Sequence, residues 1–230
     1  MTNTTPTTLT EPAQNATVDA LRHFESPVVS DAIQSLGVRS PVDGYADVRL
    51  RSLTGRTEPM VGVALPVTID ATSDPGHTGN RVHELLEAVE GAAHPVVVVC
   101  HELGPWPNRA AHIGGILGDA LLARGAIGVV SDAGVRDLAE LRKLGLHIFA
   151  RGTVIAHANY RVCEISVPVE ICGMRVEPGD VLHGDASGLV CLPSSLTAEV
   201  AQAARKVLVH EAEMRRELAA RTTQTRGEQS

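Results

Sequence analysis

The chain has 230 residues and a formal net charge of −7 at pH 7, with 43% hydrophobic and 20% charged residues. This composition is typical of a globular protein with a buried core and excludes a wholly disordered chain. The acidic balance and the presence of only five aromatic residues argue against a nucleic-acid-binding protein, which needs concentrated positive charge and often base-stacking platforms.

The first predicted elements follow a Thr- and Pro-rich start. Residues 1–16 carry little apolar content and are predicted to form a disordered leader. The first helix is predicted over 27–36, because Ser26 can cap it, Pro27 suits its first position and Gly37 can end it.

The middle of the chain alternates between strand and helix patterns. Apolar runs predict strands at 61–69, 95–101, 127–131 and 147–150. Helical spacing and helix-end signals predict helices around 82–89, from Gly114-Gly115 to near Gly125, and over 137–144. Residues 102–113 are predicted to form a polar loop. This alternation indicates an α/β fold with a largely parallel core.

The C-terminal half has a different pattern. From residue 161 onwards, short strands separated by turns predict a β-rich region with hairpins, including a turn at Cys172-Gly173. A long charged helix is predicted over 195–219. Because no repeat or linker is visible, we expect one domain over 17–220 and a flexible tail at 221–230.

The cysteine and hydropathy patterns indicate an intracellular protein. The four cysteines form no C-x-x-C pair and lie in or beside apolar runs, so they are interpreted as reduced core thiols. No apolar stretch approaches the length of a membrane span, and the N-terminus lacks the pattern of a signal peptide. The sequence therefore predicts a cytoplasmic location.

Several common catalytic motifs are absent from the sequence. There is no G-x-x-x-x-G-K-[ST], G-x-G-x-x-G or G-x-S-x-G, so nucleotide-loop and nucleophile-elbow functions lose their main support. Ten histidines occur without zinc spacing. His77 with His83, or His101 with His112, could meet in space, but scattered surface or hydrogen-bonded histidines are the favoured interpretation.

The stretch 112–152 carries the candidate site. Gly114-Gly115-Ile116-Leu117 starts a helix, whose free N–H groups and dipole form an anion pocket. The next strand brings Arg136 and Asp137 to its carboxyl end, where open α/β sheets bind ligands. An Arg can clamp a carboxylate and an Asp can hold a divalent cation, which suits a small α-keto acid. The alternative is that Asp137 and Glu140 form an ordinary capping arrangement and Arg136 is a surface residue.

An ordered series of motifs resembles one known family. The motifs are FESPVVSDAI, GGIL, ARG-x-x-GVV, GVRD, IFARG, VPVEICGMRVEPGD and GDASGLVCLP, spread over roughly 26–215. They resemble the 4-hydroxy-4-methyl-2-oxoglutarate aldolase family, which includes the regulator of ribonuclease activity A. The resemblance implies a swivelling β/β/α-type sandwich, assembled as a homotrimer or a dimer of trimers, with active sites between subunits and Mg²⁺ or Mn²⁺ as cofactor.

The resemblance also implies roles for individual residues. Arg136 matches the carboxylate-binding arginine and Asp137 the metal-binding aspartate, while the backbone of Gly114, Gly115, Ile116 and Leu117 matches the loop that holds pyruvate. Glu211 resembles the glutamate that reaches the metal's water shell from a neighbouring subunit. Its alternative is a solvated helix glutamate.

The chain also departs from the family pattern. Gly115 stands where aldolase members commonly have an acidic residue, and Tyr160 and Arg161 stand where a site lysine is expected. Asp119 is either a nearby substitute carboxylate or a solvated helix residue. These departures leave the substrate and the retro-aldol step open.

The chemistry of C–C cleavage narrows the mechanism. Breaking the bond beta to a carbonyl leaves a pyruvate enolate, so the protein needs a lysine Schiff base or a metal. Lys143 and Lys206 are the only lysines, and both are expected to face solvent, which favours a metal.

The predicted function is a metal-dependent lyase that releases pyruvate from a small α-keto acid. The resemblance implies aldol cleavage of 4-hydroxy-4-methyl-2-oxoglutarate or 4-carboxy-4-hydroxy-2-oxoadipate and decarboxylation of oxaloacetate. Decarboxylation needs no base to deprotonate a hydroxyl. The alternatives are a non-catalytic protein-binding regulator and a lyase for a different oxo acid. The sequence leaves the catalytic base open.

Overall fold

The computed structural model describes residues 18–71, 79–92 and 95–227, and the side chains among them up to 221. The predicted leader at 1–16 lies outside the described residues, and so does the end of the predicted tail at 221–230. Both remain predictions.

Helices and strands alternate through most of the described chain. The helices are α1 (Ser26–Leu36), α2 (Val82–Glu90), α3 (Gly115–Leu122), α4 (Leu138–Leu144) and α5 (Thr197–Gly227). The strands are β1 (Arg51–Ser52), β2 (Met60–Asp70), β3 (Val96–Glu102), β4 (Ala111–Ile113), β5 (Ala126–Val135), β6 (His147–Thr153), β7 (Arg161–Ile165), β8 (Val169–Ile171), β9 (Met174–Val176), β10 (Val181–Asp185) and β11 (Gly188–Leu192).

One large mixed sheet organises the fold. Its strand order is β1-β6-β5-β3-β2-β10-β11, with β4 paired to β5 and β7 paired to β2. Strands β2, β3, β5 and β6 are parallel neighbours, which confirms the predicted parallel core. The sheet is nearly closed and barrel-like, and with its helices it forms the single α/β domain that the sequence predicts.

The C-terminal half forms the predicted hairpins. Strands β8 and β9 pair antiparallel across a two-residue turn of Cys172 and Gly173, whose φ angles are 47° and 79°. Two successive positive φ values are typical of the type I′ turn, whose twist matches that of the flanking strands. Strands β10 and β11 form a second hairpin.

The apolar core has three regions around this sheet. One lies between the sheet and helices α2 to α4, one lies under α1 and the first turns of α5, and one lies inside the barrel against β8 and β9. Their largest fully buried side chains include Leu85, Leu121, Leu141, Phe149 and Met174. The four cysteines are free, with Cys163 half-buried and the other three buried.

The start of α1 corrects one prediction. The helix begins at Ser26 with Glu25 as its N-cap and no side-chain cap bond, so the assignment of Ser26 as the cap is wrong. The Ser26 hydroxyl instead lies 3.1 Å from Nδ1 of the buried His183. Gly37 ends the helix in the left-handed conformation, as predicted.

Two other boundaries differ from the prediction. The predicted loop at 102–113 is wrong at its end, because Ala111–Ile113 is the strand β4, which pairs in parallel with β5. Helix α5 begins at Thr197 and continues to Gly227, beyond the predicted end at 219. No helix in the described ranges is both long enough and apolar enough to cross a membrane.

The start of β6 makes stability depend on pH. Burial, followed by the positive charge of Arg56, lowers the pKa of His147 to about 4 from an ordinary value of 6.5. Between these two values the unfolded chain binds more protons at this position than the folded chain does, so stability falls as the pH falls.

We expect the free energy of unfolding to drop by about 1–2 kcal/mol between pH 7 and pH 5 on account of His147. Urea unfolding of the wild type and of His147→Gln at both pH values measures this contribution. The variant should have a shallower pH dependence, whereas the exposed control His210→Gln should follow the wild type. Identical slopes for His147→Gln and the wild type would contradict the assignment.

Candidate active site

The parallel pairing of β4 with β5 brings two chain segments together. Ala111 is paired with Gly134 and Ile113 with Val135, so both strands end at the same edge of the sheet. The Arg136 N–H donates to the Ile113 carbonyl at 2.9 Å and holds the two ends in register. The start of α3 therefore lies beside the turn that leads into α4.

Asp137 links these two segments through its side chain. Its Oδ2 atom accepts hydrogen bonds from the Gly115 N–H at 3.2 Å and from Arg136 Nε at 3.0 Å. Its backbone is left-handed, with φ 56° and ψ 36°, a conformation that aspartate tolerates better than most residues. Asp137 occupies the N-cap position of α4 but makes no side-chain cap bond there, so the capping alternative does not describe it.

The same contacts control the ionisation of Asp137. The hydrogen bond from the Gly115 N–H, and then that from Arg136, hold the pKa of the Asp137 carboxyl below its ordinary value. Both contacts favour the charged form. The site therefore presents a carboxylate at neutral pH, which is the form that binds a cation.

Two glycines permit this close approach. A Cβ atom at Gly114 would lie 2.8 Å from Asp137 Oδ2, and a Cβ atom at Gly115 would overlap the carboxylate of Glu140. Glycine at both positions lets the first turn of α3 contact the side chains of the neighbouring segment.

A cavity of about 300 Å³ opens in front of these groups. Its polar side is formed by the start of α3, together with Arg136 and Asp137. The other lining residues come from α2, α3, β4 and the segment before β7. They are Val82, Leu86, Ala111, His112, Ala120, His157 and Tyr160. The structure thus gathers Gly114, Gly115, Ile116, Leu117, Arg136 and Asp137 around one cavity.

A buried polar network lies behind the cavity and was not predicted. His112 Nε2 donates to Glu102 Oε2 at 2.6 Å, and both side chains are almost completely inaccessible to solvent. His112 Nδ1 lies 3.0 Å from the Ser131 hydroxyl. The other Glu102 oxygen accepts from the N–H groups of Ala71 and Gly104 at 3.0 and 2.7 Å, so the carboxylate is well satisfied.

The histidines do not form a metal centre in the part of the chain that the structure describes. His101 is bound to Asp132 at 2.7 Å, which raises the pKa of the His101 imidazole, whereas His112 is bound to Glu102. No group of three or more His, Cys, Asp or Glu side chains in the described ranges could hold an ion. His77 lies outside the described residues.

The remaining candidate residues lie in different places. Glu211 on α5 is paired with Arg215 at 2.9 Å and does not line the cavity; its predicted role concerns a neighbouring subunit and remains a prediction. Asp119 is exposed and does not line the cavity either. Lys143 and Lys206 are both exposed, as predicted. Tyr160 lines the cavity, whereas Arg161 lies 3.9 Å from Asp70.

The fold and this arrangement define an α/β protein with a cavity at the carboxyl edge of its parallel strands, lined by Arg136, Asp137 and the start of α3. The chain belongs to the Aldolase/RraA family, because the RraA-like family model matches residues 26–191. This result agrees with the resemblance carried by the sequence motifs.

Several relatives of the chain carry aldolase names. It is 35% identical over 96 residues to a protein of Halalkalibacterium halodurans named as a putative 4-hydroxy-4-methyl-2-oxoglutarate aldolase, covering 40% of this chain and 46% of that protein. It is 32% identical over 155 residues to a Burkholderia mallei protein of the same name, covering 67% and 91%. The chain spans about half the length of the first three curated relatives that it matches.

A solved structure supports the fold. Streptomyces coelicolor RraAS2, described as an unusual member of the RNase ES inhibitor RraA protein family, has a TM-score of 0.70 and 24% identity to this chain. The match covers 87% of this chain and 96% of that one. At this identity the likeness establishes the fold.

The close approach of Gly114 to Asp137 gives a testable prediction. Gly114→Ala should weaken binding of a small carboxylate such as pyruvate by about 10-fold or more, because the new Cβ atom would lie 2.8 Å from Asp137 Oδ2 and 3.1 Å from Arg136 Cγ and would displace both side chains. Calorimetric titration with pyruvate measures the effect. The control Gly152→Ala, whose Cβ atom would meet no atom within 4 Å, should bind pyruvate like the wild type, and unchanged affinity in Gly114→Ala would contradict the proposed contact.

Proposed function

We propose that this chain is a divalent-metal-dependent lyase that releases pyruvate from a small 2-oxo acid. The observation that carries the proposal is the joint placement of Arg136 and Asp137 over the start of α3, at one cavity. The aldolase names of the relatives favour the same class of reaction. The expected substrates are 4-hydroxy-4-methyl-2-oxoglutarate, 4-carboxy-4-hydroxy-2-oxoadipate and oxaloacetate.

Arg136 supplies the binding site for the substrate carboxylate. Only its Nε atom is engaged, with Asp137, and its two terminal nitrogens have no hydrogen-bond partner among the described residues. A guanidinium group binds a carboxylate through two parallel hydrogen bonds. The Gly115 N–H is engaged by Asp137, and the next N–H groups in the first turn of α3 have no partners within the helix and add donors at the cavity.

Asp137 fits a hard cation of the Mg²⁺ or Mn²⁺ type. Such an ion commonly uses one or two protein carboxylates and keeps several water ligands, so it does not need a cluster of side chains. Asp137 is ionised and accessible, and its Oδ1 atom has no hydrogen-bond partner in the described chain. The bound ion would polarise the keto oxygen and stabilise the enolate.

Decarboxylation and aldol cleavage place different demands on the groups at the cavity. Arg136 holds the substrate carboxylate and remains beside the negative charge that develops on the enolate, where a fixed cation is most effective. Decarboxylation of oxaloacetate needs nothing further, because loss of CO₂ leaves the same enolate. Aldol cleavage also needs a base for the C4 hydroxyl, which the proposal leaves unassigned. Glu211 from a neighbouring subunit of a homotrimer or a dimer of trimers would reach the water shell of the bound ion.

The positions of the lysines argue against a Schiff base. Lys143 and Lys206 are exposed, and neither lines the cavity. An amine that forms a Schiff base at neutral pH needs a desolvated or cationic environment that lowers its pKa. Neither lysine is buried within the described chain.

A second candidate function is a protein-binding regulator without catalysis. The likeness to RraAS2 favours it, since that protein is described as a member of an RNase inhibitor family. A regulator does not require an ionised aspartate and an arginine with free donors facing a cavity. Catalysis therefore requires Arg136 and Asp137, whereas regulation by protein binding does not.

Pyruvate release separates these possibilities. We expect pyruvate from an oxo acid in the presence of Mg²⁺ or Mn²⁺, and a loss of about 100-fold or more in kcat/KM for Arg136→Ala and for Asp137→Asn. A coupled assay with lactate dehydrogenase and NADH measures it, with and without a chelator.

The lysine variants are the matched controls. Lys143→Ala and Lys206→Ala should retain wild-type rates, and borohydride should not inactivate the protein in the presence of substrate. Full activity in chelator, or in Asp137→Asn, would exclude the metal mechanism. No pyruvate from any oxo acid, together with stable binding of a ribonuclease, would support the regulator.

A further inference from the structure

Besides its polar groups, the cavity has an apolar wall. Val82 and Leu86 on α2, Leu117 and Ala120 on α3, and the ring of Tyr160 form this wall. Leu86 is 8% exposed and packs with the core between the sheet and the helices, while the other four are half-buried. A ligand whose carboxylate lies on Arg136 therefore places the rest of its carbon chain against aliphatic and aromatic carbon.

The apolar wall has no cation to bind a second carboxylate. Arg136 is the only Arg or Lys among the described residues that line the cavity. Three other arginines nearby are engaged elsewhere: Arg81 pairs with Glu84, Arg124 bonds the Ala120 carbonyl at 3.1 Å, and Arg161 lies 3.9 Å from Asp70.

The internal segments outside the described residues do not supply a cation of this kind either. Neither 72–78 nor 93–94 contains Arg or Lys. His157 lies at the edge of the cavity, with Nδ1 2.8 Å from the carbonyl of Ala158. A guanidinium or ammonium partner for a second carboxylate is therefore lacking from the described walls and from both segments.

This distribution of charge favours oxo acids with a neutral tail over oxo acids with a second carboxylate. A carboxylate at the far end of the substrate would lose hydration against the apolar wall without a countercharge, which is unfavourable. A neutral alkyl tail in the same place would gain from burial of its apolar surface. The cavity therefore suits one carboxylate at Arg136 and an uncharged tail.

Tyr160 is the one residue of the apolar wall whose side chain carries a polar group. Its hydroxyl has no hydrogen-bond partner in the described part of the chain, and burial raises the pKa of the phenol, which therefore stays protonated. Asn80 fixes the backbone on both sides of it, donating to the Tyr160 carbonyl at 3.1 Å and accepting from the Val162 N–H at 3.0 Å. A hydroxyl group on the tail is the natural partner for this phenol.

We propose that the site takes 4-hydroxy-2-oxo acids with a single carboxylate and a neutral alkyl tail, with the apolar wall and Tyr160 as its specificity-determining groups. This inference rests on the proposed function, the release of pyruvate from a small 2-oxo acid, and replaces its expected substrates, which carry two or more carboxylates, with acids that carry one. In the reaction the C3–C4 bond breaks and its electron pair becomes the pyruvate enolate. The C4 hydroxyl loses its proton to a base and becomes a carbonyl, and C3 takes up a proton. The products are pyruvate and an aldehyde or ketone.

Kinetics with matched substrates tests the proposal. 4-Hydroxy-2-oxopentanoate and 4-hydroxy-2-oxohexanoate should have kcat/KM values at least about 10-fold above those of 4-hydroxy-4-methyl-2-oxoglutarate and oxaloacetate. Tyr160→Phe should lower kcat/KM for the hydroxy acids and leave the affinity for pyruvate unchanged. A preference of the wild type for the substrates with two carboxylates would overturn the proposal and leave the proposed function intact.

A binding measurement keeps the two hypotheses separate. Calorimetry should show that 2-oxopentanoate binds more tightly than 2-oxoglutarate, and this comparison needs no turnover. Val82→Arg, at a half-buried position of the wall, should reverse the order, whereas Val82→Gln, with a long neutral side chain, should not. Circular dichroism checks that both variants fold. If no oxo acid is turned over, the proposed function fails; if 2-oxoglutarate binds more tightly to the wild type, the inference about the tail fails.

Discussion

The candidate site depends on the contact between Asp137 and the start of α3. The parallel pairing of β4 with β5 brings these segments together, and the left-handed turn at Asp137 directs Oδ2 towards the Gly115 N–H. The same oxygen holds Arg136 by its Nε atom, which leaves the terminal nitrogens of the guanidinium free to bind a ligand. One carboxylate therefore holds the arginine and contacts a helix N-terminus, while its second oxygen has no hydrogen-bond partner in the described chain.

A buried hydrogen-bond network behind the cavity links strands at this edge of the sheet. Glu102 ends β3, His112 lies in β4 and Ser131 lies in β5, so their hydrogen bonds join three strands. Buried polar groups are stable only when their hydrogen bonds are satisfied, and each of these side chains has partners. We infer that the network positions β4, a strand of three residues that has few backbone bonds of its own.

The sequence predicts the elements that have strong local signals. The apolar run at 95–101 corresponds to β3, Gly37 ends α1, and Gly114-Gly115 opens α3. Sequence-based prediction fails for features that depend on residues far away along the chain. Strand β4 is too short for a hydrophobic pattern and exists because β5 lies beside it. Ser26 resembles a cap, but its hydroxyl contacts a histidine 157 positions further along the chain. Arg136 and Asp137 could be singled out because glycine-rich and charged motifs are local, whereas the apolar wall around Tyr160 assembles from separate elements.

The most direct test of the central claim is calorimetric titration of oxalate, a planar analogue of pyruvate enolate, in the presence of Mn²⁺. If Asp137 holds the cation and Arg136 the carboxylate, oxalate should bind the wild type only when Mn²⁺ is present. Binding should weaken by at least about 10-fold in Asp137→Asn and in Arg136→Ala, which corresponds to about 1.4 kcal/mol. Oxalate binding that is independent of Mn²⁺, or unchanged in Asp137→Asn, would contradict this account of the site.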